Sequence, residues 1–138
     1  MNFEFFVKKG LVRAAKKEIP FIKSIIKNAD TDLLLLKRLE IDEISSRTVM
    51  IRYYDILRVI LEAISANKGY KIYSHEAFTY LLQEIGEEII SIKFDRFRKI
   101  RNGLMYYGKN ILPAETKENS EEILKIINYL KKKYLKDV

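Results

Sequence analysis

The chain reads as an all-α protein, a four-helix up-and-down bundle carrying one extra short helix. Apolar side chains recur at three- and four-residue steps over most of its length, the spacing that lines one face of a helix. Glycine and proline, which interrupt helices, number only five and two among 138 residues. Nearly half of the residues are apolar and a third are charged, a balance that suits a folded globular chain and argues against a disordered or fibrous one. At this length one domain, residues 1–138, buries roughly two-thirds of the surface that its unfolded form exposes.

An irregular opening holds Gly10. Pro20 then serves as a first-turn residue of a helix, with Ile22, Ile25, Ile26, Ala29, Leu33 and Leu36 as its buried stripe. The pattern fades over Glu40 to Ser46, where Ser45 or Ser46 is placed to cap the next helix. From Arg47 to Lys68 the polar stripe is narrow, consisting of Arg52, Asp55, Arg58 and Glu62, while apolar residues between Val49 and Ile64 cover the remaining circumference. Such a helix is buried on several sides, at the centre of the bundle, against another subunit, or both. Gly69 ends it with the backbone freedom that a C-terminal cap needs.

Tyr70 to Tyr73 reads as a connector, with no convincing strand anywhere in the chain. Ser74 is a cap for a shorter helix built on Ala77, Phe78, Leu81, Leu82 and Ile85, which stops at Gly86. Glu87 and Glu88 sit where a new helix N-terminus favours negative charge. Onward to Tyr107, the residues Ile90, Phe94, Phe97, Ile100, Leu104 and Tyr107 mark the apolar face of a helix about 30 Å long. Pro113 falls in the next loop. Ser120, followed by Glu121 and Glu122, opens a last helix that turns Ile123, Ile126, Ile127, Leu130 and Tyr134 inward.

Composition also narrows the function. Lys and Arg outnumber Asp and Glu by 26 to 19, so contact with nucleic acid, a nucleotide or an acidic protein is favoured. With no Cys there is no disulfide, thiolate nucleophile or thiolate metal site, and with His75 as the single His a two-His metal site within one chain is impossible. No metal and no cofactor are expected. The longest apolar runs, such as Leu33 to Leu36, are far shorter than the roughly 20 residues that cross a bilayer. Phe3, Phe5 and Phe6 precede Lys8 and Lys9, the reverse of the order in a secretory signal, and a cytoplasmic location is expected. The Lys-, Glu- and Ile-rich composition resembles that of heat-adapted proteins, and an AT-rich genome produces a similar bias.

One constellation is chemically suggestive. Between Lys93 and Lys109 the chain carries six Lys or Arg and one acid, Asp95, and the segment Phe97 to Lys109 gathers guanidinium, amide and phenolic groups at the end of an amphipathic helix. At 100° per residue Arg101 and Tyr106 stand about 140° apart, with Asn102 between them. Arg96, Arg98, Lys99, Tyr107 and Lys109 are candidates for RNA or phosphate contact, by tracking a polyanionic backbone. Asp55 and Glu62, on the sparse polar stripe, need partners such as Arg58 or Arg101, and a structural salt bridge is their simplest use. His75, next to a cap residue, is most simply a connector residue.

The order of these parts resembles the HEPN family. The match runs through a wide apolar helix ending in Leu61-Glu62-Ala63, the connector from Lys68 to Ala77, and then Phe94-Asp95-Arg96-Phe97-Arg98-Lys99-Ile100-Arg101-Asn102. That family contains small, commonly dimeric helical bundles, many of them metal-independent endoribonucleases of toxin-antitoxin, antiviral or RNA-processing systems. Its signature is an Arg, often followed by Asn, Asp or His, and a His after four to six further residues. Arg101 and Asn102 match it, and Tyr106 stands where the His belongs, giving an Arg-x4-Tyr motif.

The resemblance implies catalytic positions at Arg101 as charge stabiliser, Asn102 as orienter and Tyr106 in place of the usual base; from their place on the polar stripe, Glu62 or Asp55 would orient Arg101. A phenol titrates near 10 against about 6.5 for imidazole, so Tyr106 fits a proton donor or phosphate ligand better than a base. The resemblance further implies a homodimer whose paired helices frame one cationic cleft. Two functions follow as expectations: RNA binding with metal-independent cleavage, or a non-catalytic nucleotide-binding or interaction module, partnered for instance by a minimal nucleotidyltransferase.

Overall fold

A computed structural model describes all 138 residues. Six α-helices and one two-stranded ribbon follow one another as α1 (Phe3–Lys8), β1 (Val12–Ala14), α2 (Ile19–Lys37), α3 (Ser46–Asn67), β2 (Tyr70–Ile72), α4 (His75–Glu84), α5 (Glu88–Tyr106) and α6 (Pro113–Tyr134). The all-α class holds. No helix is long and apolar enough to cross a membrane.

The nearly continuous apolar circumference of α3 puts it at the centre, where it packs on α2, α5 and α6 and touches α4 and β2. Side-chain bonds fix the directions. Arg47 at the start of α3 donates to the carbonyl of Leu104 at the end of α5, so these helices run antiparallel. Arg52 of α3 reaches Asp32 of α2. Ser46 and Thr116 share a hydrogen bond at 2.7 Å, and Lys68 lies over the Tyr134 ring, so α6 runs parallel to α3. The four long helices thus alternate in direction, as the sequence predicts.

Burial drives this collapse. Tyr54, Phe94, Phe97, Met50, Ile60 and Leu61 are among the side chains removed completely from water, each stabilising by about 1.5–3 kcal/mol. Tyr54 stacks on Phe94 at 5.4 Å between ring centroids, and Phe78 and Phe94 meet edge to face. This aromatic stack is the floor on which the residues of the candidate site stand.

Several local expectations are corrected. The opening is helical rather than irregular, because Asn2 accepts a hydrogen bond from the Phe5 amide and nucleates α1. The connector is a strand: Tyr70 to Ile72 pairs antiparallel with Val12 to Ala14, in the register Val12 to Ile72. Two three-residue strands are too short to leave an alternation in the sequence. α6 begins at Pro113, two turns before Ser120, which is buried inside the helix. Proline is preorganised for the first helical position, and there it starts the helix rather than breaking it.

The expected serine caps are absent as bonds. Ser45 occupies the position before α3, but its hydroxyl donates to the Glu40 carbonyl, and Ser74 makes no side-chain cap bond before α4. Tyr107, expected inward, is 75% exposed. It lies past the last residue of α5, where the helical period no longer sets its direction.

Candidate functional site

Residues 52, 55, 58 and 62 are three and four positions apart, so the polar stripe of α3 forms a ridge on one face. Along that ridge opens a cleft of about 340 Å³ between α2 and α3, closed at one end by the first residue of α4 and by α5. Its charged lining is Asp32, Arg52, Asp55, Arg58 and Arg101, with the His75 ring beside them, on an apolar base that includes Ile25, Ala29 and Ile56.

Arg101 is the most enclosed of these cations, its side chain only 14% exposed. The guanidinium lies 5.9 Å from the Tyr54 ring centre and 5.5 Å from that of Tyr106. Its Nη1 donates to the Tyr106 hydroxyl at 3.3 Å. Its Nε stands 3.8 Å from Asp55 Oδ1, an ion pair without a hydrogen bond, and is buried with no hydrogen-bond partner. Arg58 repeats the pattern: Nη1 donates to Glu62 Oε2 at 3.2 Å, and Nε is buried and unpartnered. Each such donor costs about 1–3 kcal/mol when it is left unmade. Arg52 bridges Asp32 and Asp55 across the mouth.

His75 completes the cleft. Its Nδ1 lies 3.1 Å from the hydroxyl of Tyr54, which leaves Nε2 as the free nitrogen of a ring that lines the cavity. Burial, together with the positive charges of Arg58 and Arg101, pushes the imidazole below its ordinary 6.5. Burial pushes the Tyr54 phenol upward, so it stays protonated. A protonated phenol with no other partner donates to Nδ1, and the ring rests neutral with its proton on Nε2.

The residues singled out in the sequence are scattered over several faces. Arg101 and Asp55 are in the cleft, and Tyr106, 65% exposed, stands at its rim. Asn102 is half-buried and lies outside the cleft lining. Arg96 turns to α6, bonded to Asn119 and Glu122 over the Phe97 ring. Arg98 and Lys99 both pair with Asp95 on the side facing α4. Tyr107 is in open water, and Lys109 folds back against Gly103.

Glu62 does not orient Arg101; it holds Arg58 and Lys71. Asp55 is the carboxylate beside Arg101. The residues that sequence reasoning passed over are His75, Tyr54, Arg52 and Arg58. A signal for two of them was present, since cations on the only polar stripe of an otherwise buried helix have few directions in which to point. No cluster of three or more His, Asp or Glu side chains with metal-ligand spacing occurs. Against family models, curated proteins and solved structures, the chain gives no match.

Proposed function

We propose that this protein is a HEPN-like RNA-binding domain that seats an RNA phosphate in the α2–α3 cleft. The observation that carries the reading is the pair of guanidiniums, Arg58 and Arg101, that line one open cavity, each with an Nη2 engaged in no hydrogen bond within the chain. An anionic oxygen satisfies such donors through charge-assisted bonds, which are roughly twice as strong as neutral ones. The surplus of basic residues over the whole chain supports attraction to a polyanion.

Metal-independent cleavage is the activity that this reading offers. In it Arg101 stabilises the charge that builds on the phosphate, and Tyr106, already bonded to that guanidinium, stands next to the reacting group. Fluorescent single-stranded RNAs incubated in EDTA should be cut by the wild type and spared by Arg101→Ala. If Arg101→Ala, folded by circular dichroism, binds RNA as tightly as the wild type, the cleft is not the phosphate site.

A further inference from the structure

The positive run along α5 is neutralised where it stands. Lys93 and Arg96 pair with Glu122, Arg98 and Lys99 with Asp95, and Arg101 with Asp55. Unpaired cations collect elsewhere, where the start of α2 meets the end of α6. A groove of about 240 Å³ opens there, with Lys23, Lys27 and Asp30 on the α2 side and Lys131 and Leu135 on the α6 side. Asp30 holds Lys131, whereas Lys23 and Lys27 are exposed and form no ion pair, as do Lys132 and Lys136 next along α6. Three more lysines adjoin the groove through the backbone. The Ala15 amide bonds the Gly69 carbonyl, so Lys16 and Lys17 follow that contact directly and Lys68 precedes it. Lys68 in turn lies 5.6 Å from the centre of the Tyr134 ring at the end of α6.

Eight lysines therefore crowd one side of this end of the bundle. The acids among them are Glu18, Asp30 and Asp137, and with the carboxylate of Val138 counted as well the surplus is four of the chain's seven positive charges. Glu84, Glu87 and Glu88 stand at the junction of α4 and α5, on the far side of Tyr134, which bonds the Ile85 carbonyl and Glu87, and Glu87 also takes Lys133. The positive field is thus one-sided. Helix dipoles explain only part of it: lysines in the last turn of α6 suit the negative end of that helix, whereas Lys16, Lys17 and Lys23 flank the positive end of α2, whose first turn holds no acid. Cations there oppose the dipole, and Glu18 is the one acid beside them.

We infer that this lysine-flanked groove is a second RNA surface, a track that holds the phosphate backbone of a strand whatever its sequence. The inference rests on the RNA reading given above and adds where the strand runs once one phosphate is in the cleft. Ile25, Ala29 and Asp32 of α2 line the cleft, and Lys23, Lys27 and Asp30 of the same helix line the groove. The helical period puts these two sets at one level on opposite flanks of α2, about 10–12 Å apart across a helix with its side chains. A stacked strand spans that distance in about three nucleotides, at about 3.4 Å each. The side chains favour RNA over other anionic partners. Ammonium groups are point charges that meet any phosphate, protein interfaces are depleted in lysine, and the groove's apolar residues, Ile26 and Leu135, are too recessed to enter a membrane.

The test is fluorescence anisotropy on the whole chain with labelled single-stranded RNAs of about four and about twenty nucleotides, each in two unrelated sequences, from about 50 to 200 mM salt. One phosphate in the cleft and about four in the groove give the longer RNA a slope of log affinity against log salt near −3.5, at about 0.7 per phosphate, whereas the cleft alone gives about −0.7. The two sequences should bind within about twofold of each other, and the short RNA at least about tenfold more weakly than the long one. The variant K16Q/K17Q/K23Q/K27Q should lose about 2.8 of that slope and at least about tenfold in affinity for the long RNA. The variant K37Q/K93Q/K99Q/K117Q has the same net charge and should lose less than about threefold.

Equal losses in the two variants, or a wild-type slope near −0.7, overturn the inference and leave the cleft as the RNA site. If Arg101→Ala binds RNA as tightly as the wild type while K16Q/K17Q/K23Q/K27Q loses it, the cleft reading fails and the groove stands as an RNA surface by itself. Binding of phosphatidylserine vesicles or of polyglutamate by a wild type that binds neither RNA overturns both and assigns the lysines to that partner. The wild-type salt and length series decide the matter even if a variant does not fold.

Discussion

Asp55 is the carboxylate closest to the proposed phosphate, 3.8 Å from Arg101 and 3.5 Å from Arg52. Replacing it by Asn keeps the size of the side chain and removes one negative charge from the cavity. A phosphate bonded to Arg101 would lie about 6 Å from that charge, where repulsion amounts to about 0.7 kcal/mol in a water-like medium and about 3 kcal/mol at the effective dielectric of a protein surface. Asp55→Asn should therefore bind RNA about three- to a hundredfold more tightly, by fluorescence anisotropy at fixed ionic strength. The gain should shrink as salt is added, because the cleft is open to solvent. The same change breaks two half-buried ion pairs and should lower stability by about 1 kcal/mol in urea titration. Unchanged or weaker binding by a folded Asp55→Asn protein would refute the argument, since it would mean that no anion sits beside Arg101.

Other outcomes follow from the same contacts. Arg58→Ala should weaken RNA binding about tenfold or more, the loss expected for a charge-assisted bond, while Arg98→Ala, tied to Asp95 away from the cleft, should change it less than about twofold; parallel anisotropy titrations compare them. Glu87, at the start of α5, accepts bonds from Tyr129, Lys133 and Tyr134 of α6. Burial raises its carboxyl, but the bonds from Tyr134, Lys133 and Tyr129 outweigh that and hold it below its usual 4.5. Its contribution is therefore complete above about pH 4.5 and is lost as pH falls through the lower folded value. Glu87→Gln should cost about 1–2 kcal/mol at pH 7 and lose less stability than the wild type on acidification, read from urea midpoints between pH 3 and 7. Phe94→Ala empties the space under Tyr54 and should cost about 3–5 kcal/mol by chemical denaturation.

The long helices were legible because each buries a wide stripe, and a stripe seven or more residues long leaves a period that composition noise does not hide. α3 was legible even as the centre of the bundle, from the narrowness of its polar side. The misread parts are short or depend on distant partners. β1 and β2 have three residues each, and what makes them strands is each other, across the whole of α2 and α3. Pro113 is ambiguous in isolation, since the same ring that breaks a helix interior suits its first turn.

At the candidate site, Arg101 was legible and its surroundings were not. The helix period gives the angle between Arg101 and Tyr106 but says nothing of how far a flexible guanidinium swings back over Tyr54. The basic run from Lys93 to Lys109 reads as one positive field, yet Asp95, Asn119 and Glu122 draw Arg96, Arg98 and Lys99 toward other faces. His75 belongs to the cleft only because the ribbon and α4 bring it beside Tyr54, twenty-one positions earlier in the chain.

That ribbon has a consequence for how the molecule assembles. β1 and β2 join positions 12 and 72, and the Tyr73 amide continues the pairing to Leu11 one residue before Ser74. The ribbon closes a span of roughly sixty residues with only three paired positions on each strand, so it depends on the helices it encloses being docked. The imidazole next to Ser74 is thus positioned by a pairing that begins near the other end of the chain. A chain trimmed at its front would keep its helical circular dichroism and melt as a bundle while its histidine swung loose, a defect that a fold assay passes and a ligand assay catches.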